Sequence, residues 1–321
     1  MISPLATAFL LLPTLGMSQW PDPEPGTVPI RDPSIVKSTN GTYYLFGTND
    51  LLYTSTCMNG PWVAQDGPLG NPNAIVCIIF FNGLLANRAI PQAPDVHYTD
   101  DTYYLYWDET IEGENTGSNI SVATSPDLSA GSWNVHGLLD LPTNANYNLI
   151  DPNLLIVSAS GDTPQTYYLS FGSYWDDIFQ VNMSDPFTVS SSPTNIEFNN
   201  TGTLEYGSNP SEGSYQFSWT IDDVTYYYLF FSSGWTLVTE IVIPAGDEYK
   251  IMVCRSLTPT GPFKDADGNN CLTDNGGTLV LGSHDYVYAP GGQGVFVDPD
   301  VDGGSVILYY HYGKLIPLLH D

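Results

Sequence analysis

What this chain has least of is positive charge. Seven Lys and Arg stand against 35 Asp and Glu, a formal net charge of −28 at pH 7. Binding nucleic acid requires Lys and Arg to displace counterions from phosphates, and an anionic membrane surface makes the same demand. Both partners are therefore excluded in favour of a neutral ligand, and sugars are neutral. Cysteine is scarce too. Cys57, Cys77, Cys254 and Cys271 have no zinc-ligand spacing, so neither a zinc site nor dithiol redox chemistry is expected. Beyond the N-terminus there is no long apolar run, and residues 5–15 are too few to cross a bilayer. Helical periodicity is missing as well.

What stands at the N-terminus reads as a secretory signal. The stretch 5–15 is apolar and uncharged, and Gly16 and Ser18 supply small residues for cleavage. The expectation is a signal peptide over 1–18 and a secreted, extracellular chain from 19 onward. An even cysteine count in an oxidising compartment suggests two disulfides. The sequence-local pairing, Cys57 with Cys77 and Cys254 with Cys271, is preferred among the three connectivities. Sequons at Asn40, Asn119, Asn182 and Asn199 suit a secreted, glycosylated surface. With 321 residues, 42% of them hydrophobic, the chain can bury a substantial core.

A tyrosine-rich strand recurs along the chain. The copies are Tyr43-Tyr44-Leu45-Phe46, Tyr103-Tyr104-Leu105-Tyr106, Tyr167-Tyr168-Leu169-Ser170, Tyr227-Tyr228-Leu229-Phe230 and Tyr309-Tyr310-His311-Tyr312. The first four follow one another at about sixty residues, a period that signals a repeat architecture. Each is preceded by a short strand: Arg31-Asp32-Pro33-Ser34-Ile35, Ala93-Pro94-Asp95-Val96, Ile150-Asp151-Pro152-Asn153-Leu154, Ser211-Glu212-Gly213-Ser214 and Pro290-Gly291-Gly292-Gln293-Gly294-Val295. Four copies continue into a third strand, followed by turns such as Asn59-Gly60-Pro61-Trp62 and Thr260-Gly261-Pro262-Phe263. Many short strands between Gly and Pro turns mean an all-β chain, and five copies of one unit predict a five-bladed β-propeller over 19–321. The last copy is followed only by residues 313–321, which resemble no third strand. The fifth blade is therefore expected to be incomplete, with an unpaired edge beside the first.

In a propeller the innermost strands line a central channel, so matching positions converge on one mouth. The lead-ins bring Asp32, Asp95, Asp151 and Glu212 there, with the glycine-rich run 291–294 as the fifth member. Several carboxylates around one cavity repel each other, so at least one must hold its proton, and a carboxyl pair then becomes an acid and a base. Glycoside hydrolysis needs such a pair. Taken singly, each Asp-Pro is a turn element. Recurrence in successive copies decides for function, except at Asp95, whose expected role is structural.

These lead-ins, together with Gly172-Ser173-Tyr174-Trp175-Asp176-Asp177-Ile178 and Glu212-Gly213, resemble family 43 of the glycoside hydrolases. Within it, Glu248-Tyr249-Lys250-Ile251 and the run from Ser283 to Gly294 resemble fungal endo-α-1,5-arabinanases. The resemblance implies inversion. Asp32 would be the general base, Glu212 the general acid, and Asp151 the residue that raises the acid's pKa and orients substrate. It also implies sugar contacts at Trp175, Asn153 and Ser173, although a core tryptophan is the standing alternative for Trp175. It implies a channel cation, calcium by preference, near His284, although one His plus waters is an unusual calcium site. The implied partner is plant cell-wall polysaccharide (arabinan in pectin side chains), acted on by a monomer. The chain departs from the family at Gln92, where relatives carry Trp, at Ser211 before Glu212, at residues 75–88, and at the apolar run 235–244. Two other readings remain open at this level: a β-xylosidase or arabinofuranosidase of the same family, and a non-catalytic sugar-binding propeller.

Overall fold

Short aromatic and β-branched runs closed by Gly, Asp and Asn turns favour antiparallel strands over helices, and no residue described is helical. The computed structural model describes residues 20–70, 91–110, 117–158, 164–199, 210–236, 243, 245–301 and 304–314. The expected signal peptide, Cys77, the departure at 75–88, most of 237–244 and the tail 315–321 lie outside them. Cys57 is exposed, and Cys254 and Cys271 form the expected disulfide.

Five antiparallel sheets follow one another along the chain. The first holds β1 (Ser34–Lys37), β2 (Tyr43–Gly47), β3 (Leu51–Ser55) and β4 (Val63–Gln65). The second holds β5 (Pro91–Thr99), β6 (Thr102–Glu109), β7 (Asn119–Ser125) and β8 (Asn134–Leu138). The third runs from β9 (Asn153–Val157) and β10 (Thr166–Phe171) to β11 (Ile178–Asp185), against which both β12 (Thr188–Val189) and β13 (Thr194–Glu197) pair. The fourth holds β14 (Ser211–Ile221), β15 (Val224–Ser233), β16 (Lys250–Ser256) and β17 (Thr278–Leu281). Among the described residues the last sheet has two strands, β18 (Val287–Asp298) and β19 (Ser305–Lys314). Innermost strands touch in cyclic order, β1 to β5 to β9 to β14 to β18 and back to β1. This is a β-propeller, with four sheets of four or five strands and the two-stranded sheet closing the circle.

The inner strands are joined by one hydrogen bond used again and again. Ser34 Oγ accepts from Val96 N at 3.0 Å, Asp95 Oδ2 from Leu154 N at 2.7 Å, and Asn153 Oδ1 from Gln216 N at 2.7 Å. At the next step Tyr215 OH donates to Val295 O at 3.0 Å. Pairing register confirms the equivalence. Ser34, Asp95, Asn153, Tyr215 and Gly294 lie opposite Phe46, Tyr106, Ser170, Phe230 and Tyr309. Asp95 is thus structural, as expected. The last copy differs from expectation: Tyr309 matches Phe46, so the Tyr309-Tyr310 pair is out of register with the other Tyr pairs.

Between the sheets the core is aliphatic and aromatic. Tyr106, Leu154, Leu169 and Phe171 pack between the second and third sheets with no exposed surface. Burying each such side chain stabilises the fold by about 1.5–3 kcal/mol. A further cavity of about 1280 Å³ lies between the N-terminal residues 20–30, β1, β2 and β19. Pro33 and His311, beside Asp32, are among the residues that line it.

Candidate active site

Two residues before each register position, the backbone turns left-handed. Asp32, Ala93, Asp151, Gly213 and Gly292 have φ of 49°, 43°, 54°, 60° and 54°. This conformation costs an ordinary L-residue about 1–2 kcal/mol. It aims each residue's amide back toward the preceding sheet. The acceptor there is the side chain just past or at the end of that sheet's second strand. Ala93 N donates to Thr48 Oγ1 at 3.1 Å, Asp151 N to Asp108 Oδ2 at 3.0 Å, and Gly292 N to Ser232 Oγ at 2.9 Å. Asp32 N closes the circle on His311 Nδ1 at 3.1 Å. The third sheet has Gly172 at this place and no side chain to offer, and Gly213 N turns to Asp151 Oδ2 at 2.9 Å instead. The acids are therefore not at one repeat position, as the sequence suggested. Asp32 and Asp151 are equivalent, Glu212 lies one residue earlier and Asp95 two residues later.

Asp32 is bracketed by donors. Thr48 Oγ1 donates to its Oδ2 at 2.6 Å, and Arg31 Nε stands 3.5 Å from the same oxygen. His311 Nδ1 lies 3.3 Å from Oδ1. As a neutral imidazole it accepts from the Asp32 amide; protonated, it pairs with the carboxylate. Burial alone would raise the Asp32 pKa, but His311, Arg31 and Thr48 outweigh it and hold the carboxyl below its usual range. Gly292 is required beside it. A Cβ there would fall 2.5 Å from His311 Nδ1 and 2.9 Å from Asp32 Oδ1.

Glu212 and Asp151 are pushed the other way. Burial foremost, with the Asp32 charge adding to it, raises Glu212 against the lowering effect of Ser173, Arg31 and His311. Ser173 Oγ donates to Glu212 Oε2 in a short hydrogen bond. Asp151 is lifted well above the ordinary carboxyl value, by burial first and then by Glu212, Asp108 and Asp32. Two neighbouring carboxyls thus have their proton affinities driven apart. Deeper in the channel, a cavity of about 40 Å³ is lined by Asp32, Asp95, Asp151, Asn153, Gly213 and Gln293, among others.

Trp175 lies on the loop after β10. It is 37% exposed, which takes it out of the core. Tyr174 stands edge-on to it at 6.4 Å and to Trp235 at 6.0 Å. Tyr174, Trp175 and Asp177 all have positive φ, at 50°, 53° and 57°. Such strain persists only where surroundings impose it. Here Asp177 anchors the loop, its oxygens accepting from Asn199 N at 2.8 Å and Ser211 N at 3.1 Å. Asn153 and Ser173, expected at the sugar, are each 1% exposed. Asn153 ties three sheets together, its Nδ2 reaching Asp95 Oδ2 at 3.3 Å while its Oδ1 holds Gln216 N. Ser173 is committed to Glu212.

His284 is elsewhere. Its ring packs on Trp20 at 5.6 Å, with Nδ1 2.9 Å from Gly282 O and Nε2 3.2 Å from Pro21 O. Asp22 and Asp285 bring carboxylate oxygens within 4.8 Å of it. Carbonyl oxygens face both ring nitrogens, which does not fit a metal-ligating imidazole with a free lone pair. The histidine that meets the carboxyl cluster, at Asp32, is His311. Sequence reasoning missed it, along with Thr48 and Asp108. For Thr48 and Asp108 the signal was present, since both follow their tyrosine strands at one register position; His311 sits inside its own tyrosine run, where the shifted register concealed it.

The profile of the family described as "Glycosyl hydrolases family 43" matches residues 27–319. Arabinan endo-1,5-alpha-L-arabinosidase A of Aspergillus aculeatus is 42% identical over 294 residues, covering 89% of this chain and 83% of that protein. The probable arabinan endo-1,5-alpha-L-arabinosidase C of Aspergillus niger is 40% identical over 296 residues, covering 90% and 84%. Among solved structures, the family 43 endo-arabinanase from Bacillus licheniformis superposes with a TM-score of 0.64 at 28% identity, covering 88% of this chain and 93% of that one. The alpha-L-arabinanase of Cellvibrio cellulosa gives 0.67 at 24% identity, covering 89% and 88%, a likeness of fold alone.

Proposed function

The chain belongs to family 43 of the glycosyl hydrolases, and on that premise we propose that it hydrolyses internal α-1,5-L-arabinofuranosyl bonds of arabinan with inversion of configuration. One feature carries the mechanism: the surroundings of the two neighbouring carboxyls lower the proton affinity of Asp32 and raise that of Glu212. Asp32 takes a proton from water as the water attacks the anomeric carbon. Its Oδ2 is fixed by Thr48 and leaves the Oδ1 side toward His311. Glu212 gives its proton to the departing glycosidic oxygen, with Ser173 setting its rotamer. Asp151 holds Gly213 N, the peptide next to the acid, and its own proton spares Glu212 an adjacent charge. Inverting pairs stand about 6.5–9.5 Å apart to leave room for the water, and base and acid here come from different sheets of the ring.

The two-stranded sheet is read as the fifth blade, since His311 takes the place that Thr48, Asp108 and Ser232 take in theirs. Trp175, exposed beside Tyr174, is the sugar-stacking surface. The relatives are named for arabinan, and the signal peptide expected over 1–18 would take the enzyme out of the cell to such a polymer. No step passes through a cation at His284. The assay is product sizing on debranched arabinan. Release of short oligosaccharides supports endo action. Monosaccharide alone would indicate an exo-acting or arabinofuranosidase member, and no hydrolysis would indicate a binding propeller.

A further inference from the structure

Glu197 ends β13 and is 1% exposed. Its Oε1 accepts from Ser211 Oγ at 3.1 Å, while its Oε2 has no hydrogen-bond partner among the described residues. Buried carboxyl oxygens are nearly always paired, because an orphan loses its water and gains nothing in return. A proton on the carboxyl does not resolve this, since Oε2 meets neither a donor nor an acceptor. Glu197 also lines a cavity of about 130 Å³ between the third and fourth sheets. That is room for an ion and bound waters, at about 30 Å³ of liquid volume per water. The rest of the wall is rich in oxygen. Half-buried Asp247 adds a second carboxylate, and Asn199, Ser233 and Asn275 add neutral side-chain oxygens. Lys250 is the one cationic side chain among the described lining residues. Its ammonium donates to Gly246 O at 2.9 Å and pairs with neither acid among the described residues.

We propose that this cavity is a calcium site, with Glu197 Oε2 and the Asp247 carboxylate as its charged ligands. No histidine or cysteine is among the described lining residues, and a wall of oxygens suits a hard cation. Calcium takes about six to eight oxygens in flexible geometry, waters included, whereas magnesium demands a near-ideal octahedron. An irregular wall with room for water therefore favours calcium. The ion answers the orphaned oxygen and offsets two acids that no Lys or Arg neutralises. It also has a structural consequence. Ser211, whose hydroxyl Glu197 accepts, stands directly before Glu212 in β14. Asp177 accepts the amides of Ser211 and Asn199 at 3.1 Å and 2.8 Å. The ion thus braces the junction between the strand that carries Glu212 and the loop that carries Trp175. The site is distinct from His284 and does not depend on the arabinan reading, because occupancy is read from binding alone.

The test is calorimetric titration of the chelator-treated chain with calcium chloride, with thermal melts alongside. The wild type is expected to bind calcium at this site. At a concentration about 100 times Kd, its Tm should rise by roughly 5 °C, the size of shift a ligand specific to the folded state gives a domain this large. Glu197→Gln removes the buried charge and keeps an oxygen. Asp247→Asn does the same at a half-buried position, and keeps the test decisive should the first variant fail to fold. Each is expected to weaken binding at least tenfold and to lose most of the Tm rise. Absence of both binding heat and Tm rise in the wild type would mean that water alone fills the cavity, and overturns the proposal. An affinity unchanged in either folded variant would place the ion elsewhere and overturns it as well. Failure of the chain to cleave arabinan would overturn the substrate reading and leave this measurement untouched.

Discussion

At the scale of single residues, the division of labour proposed for Asp32 and Glu212 follows from their neighbours rather than from their chemistry, since both are carboxyls. Asp32 has His311, Arg31 and Thr48 around it; Glu212 has burial and the Asp32 charge. Glu212→Gln removes the transferable proton and leaves the Ser173 contact sterically possible. It is expected to lose about 10²–10⁴-fold in turnover, the usual worth of general acid catalysis, with melting temperature little changed. Asp32→Asn is expected to fall as far. Steady-state rates on linear arabinan check both, and near wild-type turnover in either contradicts its assignment. The pH profile should be bell-shaped. Activity appears as Asp32 ionises, below the usual carboxylate range because its pKa is lowered. It is lost as Glu212 ionises, above the usual range because its pKa is raised. A profile with its acidic limb above the ordinary Asp value would count against Asp32 as base.

At the scale of elements, strand identity was legible where side chains alternate between buried faces. Tyr103 and Leu105, 2% exposed each, made the second sheet readable. Register was not legible where composition misled. Tyr309-Tyr310 looks like another Tyr pair, yet Tyr309 lies opposite Gly294 and so belongs where Phe46 does. That slip hid His311, which stands two residues further on. Asn153 and Ser173 were read as sugar contacts for a related reason. Their partners, Gln216, Asp95 and Glu212, are brought to them by neighbouring sheets, and no local pattern announces such bonds. Backbone geometry at the lead-ins yields a paired prediction. In Gly292→Ala the new methyl meets His311 and Asp32 at φ 54°, whereas in Gly41→Ala the methyl meets open space at φ 88°. Both variants should lose stability by about 1 kcal/mol from the left-handed backbone. Only Gly292→Ala should also lose most of its kcat. Denaturant melts with parallel rate measurements check this, and equal activity of the two would show that the glycine is not needed for site geometry.

For the whole molecule, acidity sets where the fold is safe. Burial foremost lifts Asp50, Asp108 and Asp177 each to about 7. Their folded pKa values exceed the unfolded one, near 3.9 for Asp. Between those limits the native state binds more protons than the unfolded state, so stability falls as pH rises. The stabilising contribution is complete below about pH 4 and gone above about 7. Asp32 acts oppositely, its contribution being lost only as pH drops through its lowered value. A net charge of −28 adds self-repulsion at the alkaline end. Melting temperature is therefore expected to decline from mildly acidic to neutral pH, as thermal scans across that range can establish. A flat or rising curve would mean that these buried acids do not hold their protons.

The central claim is that a ring of unlike carboxyls on a propeller makes this chain an inverting arabinan hydrolase. Proton NMR of the first products from linear α-1,5-arabinan, recorded before mutarotation, tests it most directly. Oligosaccharides should appear with β-configured reducing ends. First products with α-configured reducing ends would require a nucleophile and a closer carboxyl pair than a base and acid separated by water, and would contradict the account.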